Sequence, residues 1–260
     1  MSERVYGLHA VRALLLRAPS RVRQVWLQRE RRDARAAEIE SAAHAAGCAV
    51  ERVDAARLKN LVGDGVHQGV AAQIEPLRPW NEDELLDAVG QATHPLVLAL
   101  DGVQDPHNLG ACLRTADACG ALAVVIPKDR AAQLNGAARK VAAGAAETTP
   151  VVAVTNLART LALLKDAGLW IVGASADSAQ LAQDVDLTGP RCLVMGAEGA
   201  GLRELTRRHC DWLVRLPNLG AVESLNVSVA TGMLLYEAVR QRRGAGVWKW
   251  MLPAKSRPAG

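Results

Sequence analysis

The chain has 260 residues, 50% of them hydrophobic and 22% charged, with a net charge of +4. That length and apolar content exclude disorder over most of the chain and allow one large domain or two smaller ones. No apolar run approaches the ~18 residues of a membrane span, and the start Met1-Ser2-Glu3-Arg4 is no secretory signal, so no membrane association and a cytoplasmic setting are expected.

Residues 1–75 read as a small α/β unit. Helical spacing runs through Leu8, Val11 and Leu15 in 8–16, and 22–28 reads as a strand with Val25 and Leu27 on one face. A helix is expected over 34–46, stopped by Gly47, then a strand over 48–53, a helix over 54–61 and a strand over 69–74. Residues 1–35 carry nine Arg against three acids, a basic face that suits a polyanion such as RNA and equally a solvated surface. Residues 76–95, punctuated by Pro76, Pro79 and Pro95, read as a linker holding one helix, 81–89, with Asn81 as N-cap and Glu84 three residues on.

From residue 96 strands and helices alternate regularly. Strands are expected at 96–100, 122–126, 150–154, 169–174, 191–196 and 212–216, and helices at 108–119, 135–146, 157–167, 201–209 and 224–242. Near-continuous apolar strands between helices predict a parallel sheet covered on both faces, with ligands bound at its carboxyl ends. The tail 244–260 has no acid; Trp248 and Trp250 flank Lys249 and could stack on bases or pack on protein. Cys48, Cys112, Cys119, Cys192 and Cys210 form no Cys-x-x-Cys pair, so they read as small buried hydrophobes, with neither a disulfide framework nor a metal site.

Three loops after strands carry the chemistry. In 101–120, Asp105-Pro106 starts a turn and Asn108 begins a helix; Asn108 and Arg114 are six apart and share no helical face, but converge if Asn108 lies in the loop. Asn108 offers a donor and an acceptor, Arg114 a fork for phosphate or ribose; an N-cap and a surface Arg would look the same. In 193–204, Gly196, Gly199 and Gly201 follow a strand in the order G-x-x-G-x-G, which is not the nicotinamide fingerprint, and Glu198 sits within the loop. In 216–243, Ser224 is a natural N-cap, Asn226 in the first turn is a mediocre helix former, and Val229, Ala230, Met233, Leu234, Ala238 and Val239 form the expected buried side.

Together these loops — N-L-G-x-x-x-R from 108, M-G-x-E-G-x-G-L from 195, and L-P then S-L-N-V-S-x-A across 216–230 — resemble the SPOUT superfamily of methyltransferases. Within it, the TrmH-like group of RNA ribose 2′-O-methyltransferases is the nearer resemblance, over roughly 96–243. The segments 5–11 and 64–72 look like the ribosomal-protein-like substrate-binding domain joined to many of these enzymes, most of all to the branch that methylates a guanosine ribose in the peptidyl-transferase region of 23S ribosomal RNA.

The resemblance implies a SPOUT domain with a deep trefoil knot, S-adenosylmethionine bound near it, a homodimer formed through that domain, and 23S ribosomal RNA or a large-subunit precursor as partner. Topology rules would not anticipate a knot. Matched position by position, Gly196, Leu216 and Leu225 would hold the cofactor through their backbone, and Asn108, Arg114, Glu198, Ser224 and Asn226 would surround methyl transfer. An Arg stays protonated, so Arg114 is assigned to positioning and charge stabilisation, with the RNA phosphate as a candidate proton acceptor. Rival readings are a transfer-RNA or resistance methyltransferase of the same family and a non-catalytic ribosome-assembly protein. S-adenosylhomocysteine should raise the melting temperature in a thermal-shift assay and NAD should not; the reverse would remove the methyltransferase reading.

Overall fold

The computed structural model describes residues 3–63, 67–75, 79–221 and 224–246, so Pro76 and the tail tryptophans Trp248 and Trp250 lie outside the described residues. The N-terminal unit is a four-stranded sheet of β1 (Glu3–Tyr6), β2 (Val22–Gln28), β3 (Ala49–Val53) and β4 (Val70–Ile74), ordered β1-β4-β2-β3. β2 and β3 are parallel, and β4 runs antiparallel to β1 and β2. Strand alternation splits β2: Val25 and Leu27 face a core built with α1 (Leu8–Arg17) and α2 (Ala34–Ala45), while Trp26 faces Leu58 of α3 (Ala55–Val62). Asp33 and Asp54 cap α2 and α3 by accepting from the Ala36 and Arg57 amides.

The second unit is an all-parallel six-stranded sheet. Its strands are β5 (Leu96–Asp101), β6 (Ala123–Pro127), β7 (Val151–Val154), β8 (Trp170–Ala174), β9 (Arg191–Gly196) and β10 (Trp212–Val214), ordered β10-β8-β9-β5-β6-β7. Every residue of β5 is buried, with Leu96, Leu98 and Leu100 in one core and Val97 and Ala99 in the other. Helices α5 (Pro106–Ala118), α6 (Gly136–Ala142) and α9 (Val227–Gly244) cover the first face; α4 (Glu82–Gln91) and α7 (Leu157–Asp166) cover the second, with α8 (Glu204–His209) beside α7.

The capping box of Asn81 and Glu84 is present, each accepting the other's amide at 2.9 Å. The helix it starts is no free linker: Leu85 and Val89 are buried in the second core, and Trp80 makes a lone parallel bridge to Val152 on the outer side of β7. At the opposite end of the sheet, Leu181 bridges Arg215 just past β10. Two basic side chains of the N-terminal unit reach across to the second: Arg17 pairs with Asp117 at 2.6 Å, and Arg21 with Glu147, which Arg139 also binds. Glu147 is only 4% exposed, so this joint is a buried ionic contact.

Several expected boundaries move. α5 begins at Pro106, capped by Asp105, which puts Asn108 in its first turn. The helix expected over 135–146 is α6 followed by a separate 3-10 turn at Ala145–Glu147, because Ala143 and Gly144 adopt left-handed φ. The residue capping α9 is Asn226, not Ser224, so the helix starts three residues late. Its buried side is Val227, Thr231, Leu234, Leu235, Ala238 and Arg242; Val229 and Met233, expected inside, are exposed, and Val239 is half-buried. Cys48, Cys112 and Cys192 are buried, whereas Cys119 and Cys210 are only partly so. Burial raises the thiol of Cys112 to about 11 and that of Cys210 to about 12, which keeps both neutral.

Arg242 fastens the end of α9. Its guanidinium is buried and donates to the carbonyls of Leu187, His94, Pro95 and Gly189, the last at 2.7 Å. Burial first, and Arg191 second, push it down to about 10. Arg242→Met keeps the stem volume but strands four acceptors, each costing about 1–3 kcal/mol when left unpaired and partly recovered by water. A net loss of roughly 3 kcal/mol in urea unfolding is the expected outcome.

Candidate active site

A cleft of about 360 Å³ opens at the carboxyl ends of β8, β9 and β10. Three returns of the chain wall it: 174–176, 195–201, and the stretch that gives 214–218 and 224–230. The middle return is held tightly. Ala197 and Gly201 exchange two backbone hydrogen bonds, at 3.0 and 2.8 Å, and the turn needs positive φ at Gly199 (77°) and Gly201 (66°). A Cβ on Gly196 would lie 2.1 Å from the Gly201 carbonyl carbon, so no larger residue fits there without displacing backbone. Two residues later Asp101, 1% exposed at the end of β5, accepts the Arg203 amide at 2.8 Å and pairs with the Arg203 guanidinium at 2.9 Å. Residues 197–203 are thereby a fixed loop, which is why α8 starts at Glu204 and not at 201 as its pattern suggested.

The polar side chains beside this loop form a directed chain. The Asn226 oxygen accepts from the Ser228 amide at 2.9 Å and from its hydroxyl at 2.6 Å, which is the N-cap of α9. With its oxygen so committed, Asn226 presents its NH2 group outward and donates to the Asn108 oxygen at 3.1 Å. Asn108 in turn must present its own NH2, which meets the Glu198 carboxylate at 3.5 Å. Helix capping thus sets the orientation of two amides and aims a donor at a carboxylate.

The structure therefore brings Asn108, Asn226 and Glu198 together, and Gly196, Glu198, Leu216, Ser224 and Leu225 all line the cleft. Arg114 stands apart. It is exposed, without an ion-pair or hydrogen-bond partner among the described residues, and shares the continuous helix α5 with Asn108. Six residues of helix separate the two by about 9 Å along the axis and about 120° around it, so the convergence that required Asn108 in a loop does not occur.

Two features escaped the sequence reading. Asp101 is one; an acid closing an otherwise apolar strand, L-V-L-A-L-D, is the signal that could have found it. The other is a brace on the cleft's first wall, where Arg207 holds Ser175 at 2.7 Å and Asp177 at 3.0 Å. Hydrogen bonds from Ser175 and then Arg207 keep the Asp177 carboxyl below the usual carboxylate range.

A cleft at the carboxyl ends of a parallel sheet, with a carboxylate and two oriented amides beside it, is where enzymes of this architecture bind their ligands. The chain belongs to the SpoU rRNA Methylase family, whose pattern matches residues 95–236; residues 4–80 match the RNA 2′-O ribose methyltransferase substrate-binding domain. The 23S rRNA (guanosine-2′-O-)-methyltransferase RlmB of Pseudomonas syringae is 54% identical, covering 92% of this chain and 96% of its own length. The enzyme of that name from Escherichia coli K12 is 50% identical over 93% of this chain and 100% of its own. The solved structure of the SpoU methyltransferase AviRb from Streptomyces viridochromogenes, in complex with AdoMet, superposes with a TM-score of 0.69 at 26% identity, covering 93% and 91% of the two chains.

The amide chain separates into a structural and a chemical half by substitution. Asn226→Asp retains the capping oxygen but replaces the donor facing Asn108, whereas Asn226→Ala removes both. In thermal unfolding Asn226→Ala should lose about 1 kcal/mol and Asn226→Asp a few tenths; in methyl transfer both should fall at least tenfold.

Proposed function

We propose that this protein transfers a methyl group from S-adenosylmethionine to the ribose 2′-hydroxyl of a guanosine in 23S ribosomal RNA. The observation that carries the reading is the Asn226–Asn108–Glu198 chain set on the rim of the glycine-lined cleft, in a chain half identical over nearly its whole length to enzymes named for that reaction. The cleft suits the cofactor. Its walls combine Ala, Val, Leu and Met195 with the polar Ser175, Asn218 and Ser224, Glu198 adds a carboxylate able to face a cation, and Arg215 a cation able to face a carboxylate. When bound, S-adenosylmethionine supplies a methyl group on a positively charged sulfur. Gly196, Leu216 and Leu225 would hold it through their backbone groups.

The remaining residues act on the RNA. A ribose hydroxyl is a poor nucleophile until its proton leaves, and in-line attack depends mainly on orientation, worth up to about 7–11 kcal/mol in well-aligned systems. Arg114, exposed and with its whole fork free, is assigned to the ribose and its phosphate. Asn108 and Glu198 order the rim, Ser224 and Asn226 shape the side where cofactor and ribose meet, and the RNA phosphate is the candidate proton acceptor.

We place the RNA-binding domain at 1–75 and the SPOUT methyltransferase domain at 96–243, joined by a linker at 76–95 whose helix α4 packs on the second domain, with 244–260 as a tail. The trefoil knot in that domain is carried over from the family to which the chain belongs. A homodimer through it is supported by α9, where Val229 (52% exposed), Met233 (40%) and Tyr236 (65%) form one apolar stripe. A cytoplasmic setting is supported by the relatives named for modifying 23S rRNA.

The test is transfer of labelled methyl from S-adenosylmethionine to unmodified 23S and transfer RNA, with the modified nucleotide mapped by reverse transcription. Label is expected on the 2′-oxygen of a 23S guanosine, and Arg114→Ala should reduce turnover at least a hundredfold without weakening S-adenosylhomocysteine binding. Label on transfer RNA alone would replace the substrate, and full turnover in Arg114→Ala would remove that residue from the site.

A further inference from the structure

A second cleft, of about 440 Å³, lies between the two domains, away from the glycine-lined one. One wall is the β1–α1 corner, with Arg4, Tyr6 and His9, together with Gln68; the other is α6 and the turn after it, with Arg139 and Lys140. Its volume falls in the range of small-ligand sites. The two walls meet where Gly144, at φ 96°, touches α1: a Cβ there would lie 3.1 Å from the Ala10 Cα.

The chemistry of the lining is cationic and aromatic. Glu147 is the single acid, and its carboxylate is already shared by Arg21 and Arg139. The cleft is therefore no repeller of anions. Lys140 is exposed and has no ion-pair partner among the described residues. Arg4 uses one donor on the Leu61 carbonyl at 2.9 Å, which fixes its stem and leaves the rest of the fork open. Tyr6 is 41% exposed, a large ring without an aromatic partner among the described residues, in the lining of a cationic cleft. Gln68 has its oxygen committed to the Leu8 amide at 3.3 Å, so its NH2 group remains as a donor. A stacking ring, two cations and a free amide donor are the set that recognises a nucleotide with its base unpaired. An acidic peptide could pair with the cations but gains little from an exposed stacking ring, and a duplex could not present a base to it.

We propose that this interdomain cleft is a second RNA subsite that takes one unpaired nucleotide of the substrate, the base on Tyr6 and the phosphate between Lys140 and Arg4. The proposal rests on the RNA-methyltransfer reading above and extends it. The substrate would be gripped by both domains at once, with the methyltransferase domain supplying Lys140 from α6. Since α6 packs on α5, the same helix pair would carry the subsite and the Asn108 site.

The experiment uses the full chain with a 23S transcript, and compares wild type with Tyr6→Ala, Lys140→Ala and, as a charge control, Arg159→Ala on the exposed side of α7. Filter binding gives Kd across a salt series, and methyl transfer gives KM and kcat for the RNA; S-adenosylhomocysteine binding reports the other cleft. The expected result is a rise of about tenfold in RNA Kd and KM for Tyr6→Ala and Lys140→Ala, with kcat and S-adenosylhomocysteine affinity unchanged. Lys140→Ala should also lower the salt slope by about one, and Tyr6→Ala should leave it alone. Kd and KM within twofold of wild type would overturn the subsite, as would an equal loss in Arg159→Ala, which would mark a general charge effect. If wild type methylates neither 23S nor transfer RNA, the activity reading falls, and the Kd comparison alone decides the subsite.

Discussion

The backbone contact between Gly196 and Gly201 is the constraint from which the shape of the glycine-lined cleft follows. The main chain at the end of β9 and at the close of its loop come too near for any Cβ on residue 196. That proximity turns residues 197–201 back on themselves, and Asp101 fastens the loop's exit through Arg203. A loop so short and so doubly held has one shape. It carries Glu198 to the rim, where α5 presents Asn108. Were the glycine pair relaxed, the carboxylate would lose its address although no residue touching substrate had changed.

The second determinant is that local and functional needs fall on one residue. Asn226 caps α9 and orders Asn108 with the two ends of a single amide. Many side chains can cap a helix, and several can donate to an amide oxygen, but an amide does both with its orientation settled. The geometry of this polar chain is inherited from helix initiation, a low-cost way to hold a polar group still in an exposed cleft.

How much of this was legible in the sequence depended on whether the determining contact was local. The strands of the parallel sheet could be read because burial on both faces writes itself as unbroken apolar runs such as 96–100, and the capping box at Asn81 because its partners are three residues apart. β1 could not, since Glu3-Arg4-Val5-Tyr6 becomes a strand only by pairing with β4 across the domain. Ser224 and Asn226 are both good caps; what chose between them was the path of the chain around the cleft. The phase of α9 was missed for a related reason. Its apolar residues lie on more than one side, and Val229 and Met233 look like core until the helix is docked. The motif residues located the cleft, but placing Arg114 beside Asn108 needed the helix to begin later than Asp105 and Pro106 allow. Nothing local announces the joint between Arg21 and Glu147, which are 126 residues apart.

The lone bridges at Trp80 and Leu181 have a consequence for assembly. A parallel sheet ends in two strands whose outer amides and carbonyls invite another chain to add on, and natural proteins protect such edges. Here Trp80 lies along the outer side of β7, while the outward groups of β10 and the residue after it are taken by Ser178, Gln180 and Ala182. Both margins of the methyltransferase sheet are hemmed by the chain's own passing segments. Lengthening the sheet is thereby disfavoured as a way for copies of this domain to associate, which leaves contacts of side chain against side chain, across helices and loops. That form of contact can be tuned one residue at a time without opening a route to fibres.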